Sequence, residues 1–209
     1  MAYGFLDIAT TPSVKSAQEA NGSGVSRAGF KGNRESSRFT EAEARFIAER
    51  DGFYMATVSE TGWPYVQHRG GPAGFLRVLD DRTLAFADFR GNRQYISIGN
   101  LAADDRTALI LMDYPRRRRL KIYAHVEAKD LDNDPVLAGK LALPGYKARP
   151  ERALLLHLKA FDWNCPQHIT RRFSEAELEP ALAPVRLRLD RLEAENGALR
   201  QKLASLKGS

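Results

Sequence analysis

Cysteine is almost absent: Cys165 is the single thiol among 209 residues. That excludes an intrachain disulfide framework, and with no second cysteine it excludes a zinc knuckle. No apolar run is long enough to cross a bilayer as a helix. The opening stretch MAYGFLDIATTPSVKSAQ lacks a basic start followed by an apolar core, so it does not read as a secretory signal. A reducing, cytoplasmic compartment is the expectation. The four histidines, His68, His125, His157 and His168, are scattered, and no carboxylate pattern joins them into a metal site. Acidic residues are also short: 26 Asp and Glu face 32 Lys and Arg, a net charge of +6. A basic balance suits nucleic acid, an anionic membrane or a phosphorylated small ligand. Guanidinium, which grips phosphate through a planar fork, supplies most of it.

Residues 1–37 are rich in Gly, Ser, Ala and Asn and show no sustained periodicity, so a mobile arm is expected, tied down by Phe5, Leu6 or Phe30. The main domain is expected over 38–175. It opens with FTEAEARFIAERDGF, where Thr40 and Glu43 have capping-box spacing, Phe39 and Ala44 occupy the staple positions, and Gly52 offers a stop. The period then changes. FYMATVS, PYVQHR, FLRVLD, TLAFADF, TALILMDY, RLKIYAHVEAKDL and RALLLHLKAFDW read as strands separated by turn signals. SIGNLAADD and DPVLAGKLAL read as short helices, the second with Pro135 in its first turn. Six or seven strands so spaced predict a closed or nearly closed antiparallel barrel rather than a parallel sheet.

Beyond Pro180 the pattern becomes a heptad repeat. Leu189, Asn196 and Leu203 fall at a positions, and Val185, Leu192, Leu199 and Leu206 at d. Leucine at d with one asparagine at a predicts a parallel two-stranded coil over 180–207. In such a pair Arg188 would face Glu193 of the other chain and Glu195 would face Arg200. The competing reading is an amphipathic helix packed on its own domain.

Two turns carry candidate chemistry. After the strand ending at Phe89, RGNRQ supplies Arg90, Gly91, Asn92, Arg93 and Gln94 just before a helix start. Backbone amides, a helix dipole and guanidinium can together hold a phosphate monoester; the alternative is a solvated turn. Gln67, His68 and Arg69 end another strand beside Gly70 and Gly71, where a flat ligand can approach the main chain. In WNCPQHI, Cys165 lies three residues before His168 across a proline; a catalytic thiol requires an oriented base, and this spacing does not guarantee that the two face each other. A small buried thiol is the expected role. The run from Arg116 to Arg119 enters a strand, so its side chains split between two faces; no base-reading element accompanies it.

The segments FYMATVSETGWPYVQHRG, LAFADFRGNRQYISIGNL, ALILMDYPRRRRLKIYAHVEA and FDWNCPQHI resemble, in their order and spacing, the pyridoxamine 5'-phosphate oxidase-like split-barrel flavoproteins, from about Phe39 to Arg172. The resemblance implies a mainly β fold with flanking helices: a six-stranded antiparallel split β-barrel, here followed by the coiled-coil helix. It implies a homodimer with FMN at the subunit interface. By position, Gln67, His68, Arg69 and Gly70 would meet the ribityl chain and ring. Asp88 and Phe89 would lie beside the ring, and Asn92, Arg93 and Gln94 would form the phosphate cradle. Arg119 would sit near the ring. Trp163, Asn164 and Gln167 would reach the flavin of the other subunit. Asparagine and glutamine replace a serine and a lysine of the family cradle. The substrate-gripping arginine and histidine segment of the namesake oxidases is replaced by RRFSEAELEPALAP and the heptads. The chain thus resembles the flavin-nucleotide-binding relatives more than the true oxidases. The expected function is an FMN-dependent oxidoreductase; the alternatives are a flavin-binding or sensing module without turnover and a nucleic-acid-binding dimer.

Overall fold

Alternation of side chains builds one half of the sheet. Strands β1 (Gly52–Val58), β5 (Arg106–Asp113) and β6 (Arg118–Lys129) turn every second residue into the core. Phe53, Met55, Leu109, Leu111, Leu120 and Ile122 are buried there. Strands β4 (Thr83–Phe89) and β7 (Pro150–Trp163) have apolar residues on both faces. They need cover on both sides, and helix α5 (Pro135–Leu141) supplies it. Its Leu137 and Leu141 cluster with Ala85, Ala87, Ala153 and Leu155 on the far face of β4 and β7.

The computed structural model describes residues 4–23, 37–163 and 166–207. The chain divides into two compact units, Met1–Asp113 with Arg117–Ile169, and Tyr114–Arg116 with Thr170–Ser209. In the first, seven antiparallel strands run in the order β2-β1-β5-β6-β7-β4-β3. The edge strands β2 (Pro64–Gly70) and β3 (Arg77–Asp80) do not pair, so the expected mainly β, antiparallel architecture is present with seven strands and the sheet stays open. An aromatic centre fills the concave side: Phe86 meets Phe53 edge-on at 5.3 Å, and Phe75 stacks on Phe53 at 5.7 Å.

Helix α3 (Glu41–Ala48) begins with the expected capping box. The Thr40 backbone N–H donates to Glu43 at 2.9 Å, and the Ala42 N–H donates to the Thr40 hydroxyl at 3.2 Å. Phe39 is buried and stacks on Phe161. The helix stops at Ala48, four residues before Gly52, which instead opens β1. Glycine is needed there for space: a Cβ would lie 2.6 Å from Nε2 of His68 on the paired strand.

The N-terminal segment, expected as an aperiodic arm, holds two helices, α1 (Phe5–Ala9) and α2 (Pro12–Ala20). Thr11 and Pro12 give α2 its cap and first residue. Phe5 anchors the segment as expected, buried and stacked on Tyr123 of β6 with centroids 4.5 Å apart. Phe30 lies outside the described residues. The second unit is dominated by α6 (Glu175–Lys207), which starts five residues before the heptad-based boundary. Ser174 caps it reciprocally with Glu177. No described helix is long and apolar enough to cross a membrane.

Candidate functional site

The open edge of the sheet beside β2 creates a cavity. On β2, Tyr65, Gln67 and Arg69 share the face of their β1 partners Thr57, Met55 and Phe53, so they point toward the concave side. Helix α4 (Ile96–Ala103) closes that side. Buried Asn100 donates to the Thr57 hydroxyl at 3.0 Å, and buried Ser97 donates to the Gln67 carbonyl at 2.9 Å. Between β2, the end of β4 and the start of α4 lies a cavity of ≈ 240 Å³. Arg69, Asp88, Arg93, Tyr95, Ser97 and Glu151 are among the residues around it.

A bulge shapes its floor. Asp88 faces Arg152 across β4 and β7, but Phe89 faces Pro150, leaving Glu151 as the extra residue. Such an insertion re-aims side chains; here it brings two carboxylates to one cavity. Both are paired. Asp88, 5 % exposed, accepts from Arg69 Nη1 at 2.5 Å and lies 3.6 Å from Arg152 Nε. Glu151 accepts from the Tyr95 hydroxyl at 3.1 Å and lies 3.8 Å from Arg90 Nε. Of the charged side chains that line the cavity, Arg69 and Arg93 match Asp88 and Glu151 in number, while Arg90 and Arg152 reach the same two carboxylates from outside the lining. Arg69 retains a buried Nε–H without an acceptor among the described residues. Burying such a donor unpaired costs about 1–3 kcal/mol, more when charged.

The turn between β4 and α4 is strained. Arg93 (φ 63°) and Tyr95 (φ 52°) both adopt the left-handed conformation without being glycine, at about 1–2 kcal/mol each. Gly91, in the same turn, does not take positive φ. Asn92 instead holds the turn, its side-chain oxygen accepting from the Gln94 N–H at 3.2 Å and its amide donating to the Gln94 side chain. Tyr95 is the N-cap of α4 but offers no side-chain cap, so first-turn N–H groups remain available at the cavity. Among the described residues Arg93 pairs with no carboxylate. Guanidinium beside an uncapped helix start is an arrangement that can hold an anion.

The structure thus brings together Gln67, Arg69, Asp88, Phe89, Asn92, Arg93 and Gln94. Four further predicted residues, His68, Gly70, Arg119 and Trp163, do not line this cavity. His68 occupies the opposite face of β2, edge-on to Tyr54 at 5.5 Å. Gly70 makes room for His68, whose ring would be 2.9 Å from an added Cβ. Arg119, on β6, is on the convex side with Met112, its partner on β5. Trp163 packs within its own chain: it meets Phe46 at 4.7 Å, carries Arg118 over its ring at 4.5 Å, and donates to Glu43 at 2.7 Å. Gln167 is exposed, and Asn164 and Cys165 are outside the described residues. Sequence reasoning missed Tyr65, Tyr95, Ser97, Glu151 and Arg152. Tyr65 was reachable from its alternation with Gln67 and Arg69. The β7 pair was not, because it depends on the bulge.

The fold is thus an open antiparallel sheet with a cavity at its edge lined by arginine and carboxylate side chains. Among known families, residues 39–155 match the one described as pyridoxamine 5'-phosphate oxidase, and the chain belongs to that family. Among solved structures it is similar to an FMN-binding protein of Syntrophomonas wolfei (13 % identity, TM-score 0.47, covering 72 % of this chain and 97 % of that one). General stress protein 26 of Bacillus anthracis gives 11 %, 0.45, 58 % and 91 %. HupZ of Group A Streptococcus gives 14 %, 0.45, 65 % and 100 %. No curated protein matches.

Proposed function

We propose that the protein binds FMN and serves as an oxidoreductase in a homodimer, with the flavin phosphate in the cavity between β2, β4 and α4. One observation carries the reading: the cavity joins Arg69, Arg93 and the uncapped start of α4. The residues fit the group. A phosphate monoester carries about −1.5 to −2 charges at neutral pH; Arg93, which pairs with no carboxylate among the described residues, and the unpaired Nε–H of Arg69 are the donors that suit it. The cavity holds ≈ 240 Å³, under the roughly 300 Å³ at which pockets begin to enclose whole ligands. It is sized for part of the nucleotide, and a second chain would complete the enclosure. Exposed Tyr54, Val58 and Val66 on the convex face offer apolar surface for that contact.

Bound flavin would supply the hydride or electron transfer. The chain's own work is binding and orientation. Arg93 and the α4 N–H groups would hold the phosphate, Asp88 would fix the fork of Arg69, and Ser97 would fix the amide of Gln67. Both carboxylates in the cavity are engaged by arginine, so neither stands as a free general base.

Flavin fluorescence quenching tests this. Arg93→Ala should weaken FMN binding by about 1.5–3 kcal/mol, the scale of a lost charged hydrogen bond, while riboflavin affinity changes far less. Equal losses would place Arg93 away from the phosphate. Reduction of the bound flavin by a nicotinamide nucleotide separates an oxidoreductase from a binding module.

A further inference from the structure

Helix α6 has 33 residues and buries none of them. Its apolar residues still form a seam. Val185 is 61 % exposed, Leu199 55 % and Leu206 71 %, all at d positions of the repeat. An isolated helix with such a stripe exposed lacks the packing that normally stabilises helices. We propose that this seam docks against the same helix of a second copy, parallel and in register, as a two-stranded coil.

Three observations choose a second copy. The first is Asn196, at an a position inside the seam. An amide has both donor and acceptor, so an apolar groove would leave it unsatisfied. The same amide across a two-fold axis completes it, and this is how a buried asparagine sets register. The second is charge. In a parallel pair Arg188 meets Glu193 of the second copy, and Glu195 meets Arg200; both contacts are attractive. The third is shape. Leu189, Leu192, Glu193, Asn196, Gly197 and Arg200 border one groove on the helix surface. The first four, at a, d, e and the next a, include all the positions of the hole that accepts a d-position knob from a parallel partner. The partner's Leu192 is the knob that fits.

Disulfide mapping on the full-length chain tests orientation without involving flavin. In a Cys165→Ser background, Val185→Cys and Leu206→Cys are made singly, with Gln201→Cys as an outward-facing control. Both seam positions are exposed, so cysteine opens no cavity. Under mild oxidation each seam variant should form covalent dimers on the order of 100-fold faster than the control, reflecting millimolar effective concentration. Slow cross-linking at both seam positions overturns the proposal. So does a Val185→Cys chain that bonds only to a Leu206→Cys chain, which marks an antiparallel pair, or a control that reacts as fast as the seam. Asn196→Leu supplies an independent readout. Its helix should melt at higher temperature while sedimentation shows mixed assemblies; a uniform dimer with unchanged cross-linking overturns the role given to asparagine. Each outcome leaves FMN affinity as a separate measurement.

Discussion

Asp88 is the residue on which the cavity turns. It is buried, lies on the core side of β4, and engages the guanidiniums of Arg69 and Arg152. A buried carboxylate survives only when paired, so its charge and those of its arginines depend on one another. Asp88→Asn keeps the shape and removes the charge. It should lower the unfolding free energy by about 1.5–3 kcal/mol in urea titration, the range for hydrogen bonds to charged groups. An unchanged midpoint would show that Arg69 and Arg152 find other partners. Position along the strand was legible for this residue, because Asp88 follows Leu84 and Phe86 at period two. Its role was less so: it was expected beside a flavin ring, and the structure makes it the partner of two arginines.

Helix α3 shows how an element is held at both ends of the chain's fold. Glu43 caps its N-terminus and also accepts from Trp163 at the end of β7. Burial raises the pKa of this carboxyl, but the hydrogen bonds from Thr40 and Trp163 outweigh it, leaving the group below the ordinary 4.5. The folded state therefore favours the charged form. Its stabilisation is complete above pH 4.5 and is lost as pH falls through the lowered folded value. Glu43→Gln should cost about 0.5–2 kcal/mol at neutral pH, the worth of a helix cap. The gap between variant and parent should close in acid; a gap independent of pH would assign the cap no charge. The capping box was readable from Thr40 and Glu43. The tie to Trp163, 120 residues away, was not. Helix α1, 5 residues long, is too short to display a period, and α2 went unread because it buries no residue and so shows no apolar face, although Thr11 before Pro12 was a start signal.

The molecule as a whole combines a sheet unit with a helical one, and the family match at 39–155 falls in the former except for Tyr114–Arg116. The sheet unit is secured by its aromatic centre. Phe86 is 1 % exposed and touches Phe53 and Phe75. Phe86→Ala should destabilise by about 3–5 kcal/mol, since close-packed surroundings refill a large cavity poorly; a loss under 1 kcal/mol would mean the centre is loosely packed. Coverage is uneven across the sheet. Helix α5 covers the far side of β4 and β7, while Val58 and Val66 on β1 and β2 remain exposed, and the seam of α6 is exposed along its length. Both uncovered surfaces are apolar, which is why self-association enters the proposed function and the further inference through different residues.

Periodicity made much of this architecture readable from the chain alone. Short strand-like runs between turn signals placed all seven strands, several of them with period two, while period 3.5 marked the C-terminal helix and a glycine-containing arginine turn before a helix start pointed to a candidate anion site. Those features are local, and local order follows from which residues alternate, cap or break. What required the folded chain was every relation that joins distant segments. The bulge that turns Glu151 toward the cavity, the outward face of His68, the two arginines on Asp88 and the packing of Trp163 against α3 depend on strand register and neighbour contacts. Register is set by which faces the assembled core buries, so it exists only once strands far apart in the chain have paired.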